Sequence, residues 1–398
     1  MQSAVKIKMS PNVDLSFSHV REWERTKHVH RLHPYLGKFI PQLVEVFLKN
    51  NFTKGQVILD PFAGSGTTLV EANVLGMPSI GNELSYFNCL ITKIKTHNYD
   101  IIKLEREILD LLSKSKEFSR SMNHKPLSEI ATKKTNYFTT SEYLNKWFAP
   151  RALKELIFYL NNIQNYEYQD VLRIILTRSA RSARLVPHFE LTRAEEPIPI
   201  KGEYYCYKHK RKCQPTIEAL KFLNRYSYDT IKRIREFSKM RTNAPISIIQ
   251  GDTRKFRLPA KDLNGNIIEM PKKGIDGIFT SPPYVGLIDY HDQHRYAYEL
   301  LGIPMNGKEE IGARSNGYNH KAVDDYRKGM IESLKAIIPF LSEEAIVFIV
   351  ANDRNKIYPE IAEKSGFKIV TKFDRSVTKK ASRERNPYSE SVFQMVKE

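Results

Sequence analysis

Short apolar runs of strand length alternate along this chain with longer stretches whose apolar residues recur every three or four positions. The short runs predict strands over 56–59, 78–83, 245–250, 274–280 and 345–350, and a terminal pair over 367–370 and 391–396. The run 345–350 is the most apolar, so a central place in a sheet is expected for it. The longer periodic stretches predict helices over 42–49, 69–75, 88–96, 99–118, 147–160, 168–184, 217–239, 322–341 and 358–365, with a turn and helix over 285–301. In the helix over 99–118, Ile101, Leu104, Ile108, Leu111 and Leu112 fall on one face. Pro41 suits the first turn of the first helix, and Gly76 and Gly366 stop two others. Strands alternating with helices imply an α/β, doubly wound sheet. Residues 1–27 are polar and mixed, consistent with a loose arm or an edge strand.

The character of the chain changes between 119 and 244, which is rich in helix patterns, tyrosines and basic residues. The pattern divides the chain into 1–118, an inserted mostly helical region 119–244, and 245–398. A Gly- and Asn-rich stretch over 302–319 lies just past the strand 274–280. It is expected to be mobile, a lid over whatever binds there.

Two stretches carry chemistry. The first is Asp60-Pro61-Phe62-Ala63-Gly64-Ser65-Gly66-Thr67-Thr68, between a strand and a helix. Gly64 and Gly66 permit positive φ and close approach of a ligand, and the N–H groups at the helix start favour an anionic group. Glu83 ends the next strand, about 20 residues on, where an acid can accept hydrogen bonds from the two hydroxyls of a ribose. An ordinary βα turn with a surface glutamate is the bland alternative. The second stretch is Ser281-Pro282-Pro283-Tyr284, at the end of the strand 274–280. Its prolines fix the backbone and remove two donors, leaving carbonyl acceptors beside a hydroxyl and an aromatic ring. The Pro282 carbonyl and the Ser281 side chain suit an exocyclic amine, and Tyr284 suits the face of a planar base. A proline-rich turn capping a strand is the plain alternative.

Together the two stretches resemble the amino-methylating DNA methyltransferases that use S-adenosylmethionine, over the chain from about Val29 onward less the central insert. The resemblance implies a Rossmann-like methyltransferase sheet with one antiparallel strand near an edge. It implies a cofactor site at Asp60, Pro61, Phe62, Gly64, Ser65, Gly66, Thr67 and Glu83, with Asp252 at a further strand end. His33, Tyr35, Lys38 and Phe39, ahead of the glycine turn, are second-rank candidates for closing over the cofactor. Ser281, Pro282, Pro283 and Tyr284 match the catalytic tetrad. A serine at its first position resembles enzymes acting on the N4 amine of cytosine, whereas adenine enzymes more often carry Asp or Asn. The amine lies inside a stacked duplex, so the base must flip out. A cognate restriction endonuclease is a candidate partner. Rival readings on the same motifs are an adenine-N6 DNA enzyme, an RNA base methyltransferase, and a basic DNA-binding protein on an inactive scaffold.

Composition supports an anionic partner. Among 398 residues, Lys plus Arg number 63 and Asp plus Glu 45, a net charge of +18, which implies an anionic partner, nucleic acid being the usual one, with a merely basic soluble protein as the bland alternative; the resemblance implies that the partner is double-stranded DNA. Arg178, Arg181 and Arg184, with Arg173, are spaced to form a phosphate-binding face, a solvated helix face being the bland alternative. Lys210 and Arg211 lie in a stretch that interleaves aromatics with bases, and Lys379 and Arg383 lie in a basic loop between the terminal strands. The insert is read as the part that selects the DNA target; a helical oligomerisation insert is its rival. Three cysteines do not suggest a disulfide framework and fit a reducing cytoplasm. Cys206, His209 and Cys213 are metal-ligand types at short spacing, but a structural zinc site takes four ligands and no fourth is evident, so no metal is expected. No apolar run is long enough for a signal peptide or a membrane span. A monomer is expected, since one target base per encounter requires no symmetry.

Overall fold

The order of strands in the sheet decides where a ligand can sit. The computed structural model describes residues 13–21, 23–35, 37, 39–122, 137–187, 198–207, 209–377 and 388–398. Seven strands form one sheet: β1 (Ile58–Asp60), β2 (Ser79–Glu83), β3 (Ile246–Gln250), β4 (Ile275–Thr280), β5 (Leu341–Ala351), β6 (Phe367–Val377) and β7 (Tyr388–Lys397). Their spatial order is β6-β7-β5-β4-β1-β2-β3. β1 pairs in parallel with β2 and β4, β2 with β3, and β4 with β5. β7 alone runs antiparallel, between β5 and β6. This is the expected doubly wound methyltransferase sheet with its single antiparallel strand one place in from an edge. β5 is interior, as its apolarity requires, but the middle position belongs to β4.

The strand order reverses between β1 and β4. In an open parallel sheet such a reversal leaves a crevice at the carboxyl ends of the two strands. Both chemistry-bearing stretches of the sequence begin there, at Asp60 and at Ser281.

Helices cover both faces. α1 (Pro41–Asn51), α2 (Thr67–Val74), α3 (Tyr86–Thr96) and α4 (Ile101–Met122) precede the insert, and Ser85 caps α3 by accepting from the Asn88 N–H. The helix expected over 147–160 is two helices, α5 (Glu142–Trp147) and α6 (Pro150–Asn162). Pro150 starts the second, and Ala149 before it is extended at ψ 149°, as a residue preceding proline prefers. α7 (Gln169–Ser182) and α8 (Leu220–Ser238) are the further α-helices of the insert among the described residues. α9 (Arg295–Leu301), α10 (His320–Ile337) and α11 (Tyr358–Lys364) follow. α10 ends before the expected 341, because a 3-10 turn containing Pro339 intervenes and Leu341 already begins β5.

Adjacent residues of β4 serve opposite faces, as the period of a strand dictates. Ile278 packs with Met330, Leu334 and Val347 on one side, and Phe279 packs with Phe47, Phe348 and Phe373 on the other. The insert's helices share a further cluster with the sheet's own helices: Trp147, Leu156, Ile175 and Ile231 lie with Phe87, Leu90, Leu104 and Ile108. The boundary expected at 119 falls inside α4, which runs unbroken to Met122. Among the described residues, no helix is long and apolar enough to cross a membrane.

Candidate active site

The glycine turn is shaped from beneath by α3. Gly64 and Gly66 have φ of +51° and +74°, and Gly66 stands at the N-cap of α2. A Cβ on Gly66 would lie 2.6 Å from the Thr92 methyl of α3, so this glycine answers both to conformation and to close packing. Thr92 donates its hydroxyl to the Gly64 carbonyl at 3.2 Å. Lys95, one turn on and fully buried, donates its ammonium to the Ser65 carbonyl. Neither residue stands out in the sequence. The Ser65 hydroxyl is buried and meets no hydrogen-bonding partner among the described residues, which is costly unless a ligand supplies one.

Two carboxylates flank this turn. Asp60 accepts from the Thr280 hydroxyl at 2.6 Å and from the Phe62 N–H at 3.2 Å. Burial pushes its pKa up to about 6, against the lowering effect of those hydrogen bonds. Glu83 accepts from the Gly64 N–H on one oxygen and from the Ser85 N–H on the other, both at 2.8 Å. Burial lifts it to about 7, although these donors and the Asn88 amide favour its ionised form. Asp252 also lines the cleft, but its carboxylate is gripped by the Arg254 guanidinium at 2.8–3.0 Å and accepts from the Arg254 N–H. Burial raises its pKa, and the Arg254 hydrogen bonds outweigh that and hold it below the ordinary value.

A partly open cleft lies over the switch point, where a ligand of an open parallel sheet is expected to bind. Asp60, Pro61, Phe62, Gly64, Ser65, Thr67, Glu83, Asp252, Tyr35 and Phe39 line it, and so do Ser281 and Pro283. The two stretches read from the sequence therefore meet in one cavity. Gly66 sits behind its wall, and Lys38 lies outside the described residues. His33 is buried against Phe87 and His294 instead of lining the cleft, and burial holds its pKa well below the ordinary value.

Tyr284 turns to the far side of the tetrad. With Tyr318, Tyr326, Asn352, Asp353 and Tyr358 it lines a second, small cavity. Pro282 is buried and is absent from the lining of both cavities. The Ser281 hydroxyl reaches the Tyr284 hydroxyl at 3.4 Å. Tyr284 donates in turn to Glu390, which is paired with Arg375. Sequence reasoning missed Glu390, and it missed the cleft's outer wall of Tyr290, His291, Glu309 and Glu310. Glu310 accepts from the Tyr290 and His291 N–H groups at 2.9 and 2.8 Å and pairs with the His291 ring. The stretch read as a lid thus supplies part of the wall and is tied to the segment after the tetrad.

The expected phosphate-binding face on α7 is corrected at two positions. Arg178 is buried, ion-paired with Asp229 at 2.6 Å and stacked over Tyr226. Arg184 is buried and donates to the Arg181 carbonyl. The Arg178 guanidinium is thus committed to packing α7 against α8 and that of Arg184 to the last turn of α7, and Arg181 is partly buried. Lys210 and Arg211 are exposed on a short hairpin. Lys379 and Arg383 lie outside the described residues.

Comparison with known proteins adds a family. The N6/N4 model described as DNA methylase matches residues 8–94. The type II methyltransferase M.MjaII of Methanocaldococcus jannaschii is 42% identical over 96% of this chain and 83% of its own length. The type II methyltransferase M.MvaI of Kocuria varians is 25% identical over 72% of this chain and 60% of that protein. M.BsoBI of Geobacillus stearothermophilus is 24% identical over 72% of this chain and 54% of that protein.

Proposed function

This chain belongs to the N6/N4 family of DNA methylases, as a type II methyltransferase, and we propose that it methylates the N4 amine of a cytosine flipped out of duplex DNA at a specific site. The observation that carries the proposal is the meeting of Ser281 and Pro283 with the glycine turn in one cleft, with Tyr284 facing an adjoining cavity.

The family uses S-adenosylmethionine, which when bound supplies an electrophilic methyl group on a sulfonium. The cleft fits it: the orphaned Ser65 hydroxyl and the start of α2 suit its amino-acid end, and Glu83 suits its ribose hydroxyls. Asp252, held by Arg254, keeps acceptor capacity for an adenine amine. Phe62 and Phe39 supply apolar wall.

The chain's own part in the chemistry is orientation and proton handling. A cytosine amine is a poor nucleophile because its lone pair is delocalised into the ring. The Ser281 hydroxyl and the Pro282 carbonyl draw its hydrogens and localise that lone pair without prior deprotonation. Tyr284 holds the ring by stacking. Holding the amine in a fixed orientation toward the cofactor site would supply much of the acceleration. The proton lost by the amine after transfer passes to the acceptors at Ser281 and onward to solvent.

The test is transfer of tritium from labelled S-adenosylmethionine into mixed genomic DNA, followed by nucleoside mass spectrometry. Label on the cytosine amine is the expected result. Label on the adenine amine overturns the assignment to cytosine and leaves the family intact, and label in RNA alone overturns the DNA substrate.

A further inference from the structure

Away from the cleft, the insert carries a two-strand hairpin, Tyr204–Cys206 with Arg211–Cys213. Tyr204 pairs with Cys213, and Cys206 with Arg211. Alternation along a strand puts Tyr204 and Cys206 on one face, and Cys213, directly opposite Tyr204, shares that face. The two cysteines are diagonal neighbours, and both are free thiols. The turn between the strands folds back over the same face: the His209 N–H donates to the Cys206 carbonyl at 3.1 Å, and Lys210 takes φ +51°.

His209 therefore points its ring at both sulfurs. Its Nδ1 lies 3.5 Å from the Cys206 Sγ and 3.3 Å from the Cys213 Sγ, and the three atoms lie within 4.8 Å of one another. One imidazole nitrogen has one in-plane lone pair, so it cannot accept well from two thiols at once. A shared metal accounts for both distances. Zn–S of about 2.3 Å and Zn–N of about 2.1 Å at tetrahedral angles separate sulfur from nitrogen by about 3.6 Å.

We propose that Cys206, His209 and Cys213 bind a zinc ion through two thiolates and the His209 Nδ1, with water as the fourth ligand. Binding releases the two thiol protons to solvent. The thiolates then neutralise the ion, so the site adds no net charge to the exposed Lys210, Arg211 and Lys212 around it. Strands of three residues give a hairpin little stability of its own, and the metal supplies what the packing lacks. It also fixes the outer side of the hairpin, where Tyr205 and Tyr207 are exposed beside the bases. The site rests on the hairpin alone and stands whether the methylated base is cytosine or adenine.

The full-length protein, expressed in zinc-supplemented medium and purified without chelator, is expected to carry about one zinc per chain by plasma mass spectrometry. Cobalt added to the demetallated protein is expected to give a near-ultraviolet thiolate-to-metal charge-transfer band. The double variant His209→Ala/Cys213→Ser changes only exposed or half-exposed side chains, and it should lose both signals while keeping its circular dichroism. Zinc below about a tenth of an ion per chain with no thiolate band on cobalt addition overturns the proposal, as does full zinc retention in the double variant.

Discussion

The Tyr284 hydroxyl donates to one carboxylate oxygen of Glu390 at 3.0 Å, while the other oxygen of Glu390 lies 3.3 Å from the guanidinium of Arg375. Tyr284 follows β4, whereas Glu390 and Arg375 pair across β7 and β6. The antiparallel strand thus reaches over β5 to fix the plane of the ring that faces the second cavity. A ring fixed in advance loses less freedom when a base stacks on it.

Glu390→Ala is expected to lower kcat about tenfold, since a hydrogen bond to a charged group contributes about 1.5–3 kcal/mol and about 1.4 kcal/mol is a tenfold rate change. The affinity for S-adenosylmethionine should stay within about twofold, because Glu390 does not line that cleft. Glu390→Gln keeps an acceptor and should retain most of the activity. Single-turnover methyl transfer with equilibrium cofactor binding separates these effects. An unchanged kcat in Glu390→Ala would show that the ring needs no such anchor.

Lys95 is expected to matter for cofactor binding without touching the cofactor. Its ammonium holds the Ser65 carbonyl from beneath the glycine turn. Lys95→Met keeps the volume but leaves that carbonyl without its buried donor, a loss of about 1–3 kcal/mol at the turn. Removing a buried charge offsets part of this in overall stability, so melting temperature is a poor readout. The informative quantity is the dissociation constant of S-adenosylmethionine by calorimetry, expected to rise about tenfold. An unchanged constant would mean that the turn is shaped by the glycines and Thr92 alone.

These two cases show where the sequence stops being legible. The glycine turn and the Ser-Pro-Pro-Tyr stretch could be read because each is specified locally, by a strand, the residues that break it and the element after them. Their meeting in one cleft followed from the α/β alternation. Glu390 could not be found that way, since it is one acid among many in a strand and its role depends on a partner in a distant loop. Lys95 reads as one more basic residue on a helix, and only packing against the turn makes it buried. Arg178 and Arg184 failed for the same reason in reverse: spacing on a helix places them on a face, and α8, with Asp229 and Tyr226, covers the Arg178 side of it. The break between α5 and α6 was visible as Pro150, but apolar periodicity continues across it and hid it.

Folding should weaken as pH rises through the titration of Glu83 and Asp60. Both carboxyls are held above their ordinary values, so the folded state binds their protons more tightly than the unfolded chain does. The stabilisation is complete below the ordinary values. It is lost between 4.5 and about 7 for Glu83 and between 3.8 and about 6 for Asp60. For Glu83 it amounts to about 3 kcal/mol. Buried His28, His33 and His294 act in the opposite sense, because burial lowers their pKa values and the unfolded chain binds their protons more tightly. The total profile mixes the two, and the clean quantity is the stability of the wild type relative to Glu83→Gln. Urea denaturation of the cofactor-free protein should show that difference falling by about 3 kcal/mol from pH 4.5 to 7 and levelling above it. A difference independent of pH would place the Glu83 carboxyl at its ordinary value.

The exposed bases of the hairpin, rather than the buried arginines of α7, should carry the salt dependence of DNA binding. Each phosphate neutralised on duplex DNA contributes about 0.9 to the slope of log affinity against log salt. Lys210→Ala/Arg211→Ala should therefore weaken binding uniformly across DNA sequences and reduce that slope by about 2. Arg178→Ala should leave the slope of the folded protein unchanged. Its cost falls on stability, because Asp229 loses a buried partner and Tyr226 a stacked guanidinium. Titrations at several salt concentrations, with thermal melts of the same variants, distinguish the two. If the hairpin variant keeps the wild-type slope while Arg178→Ala lowers it without losing stability, α7 opens to meet DNA and its arginines leave the partners they hold in the free protein.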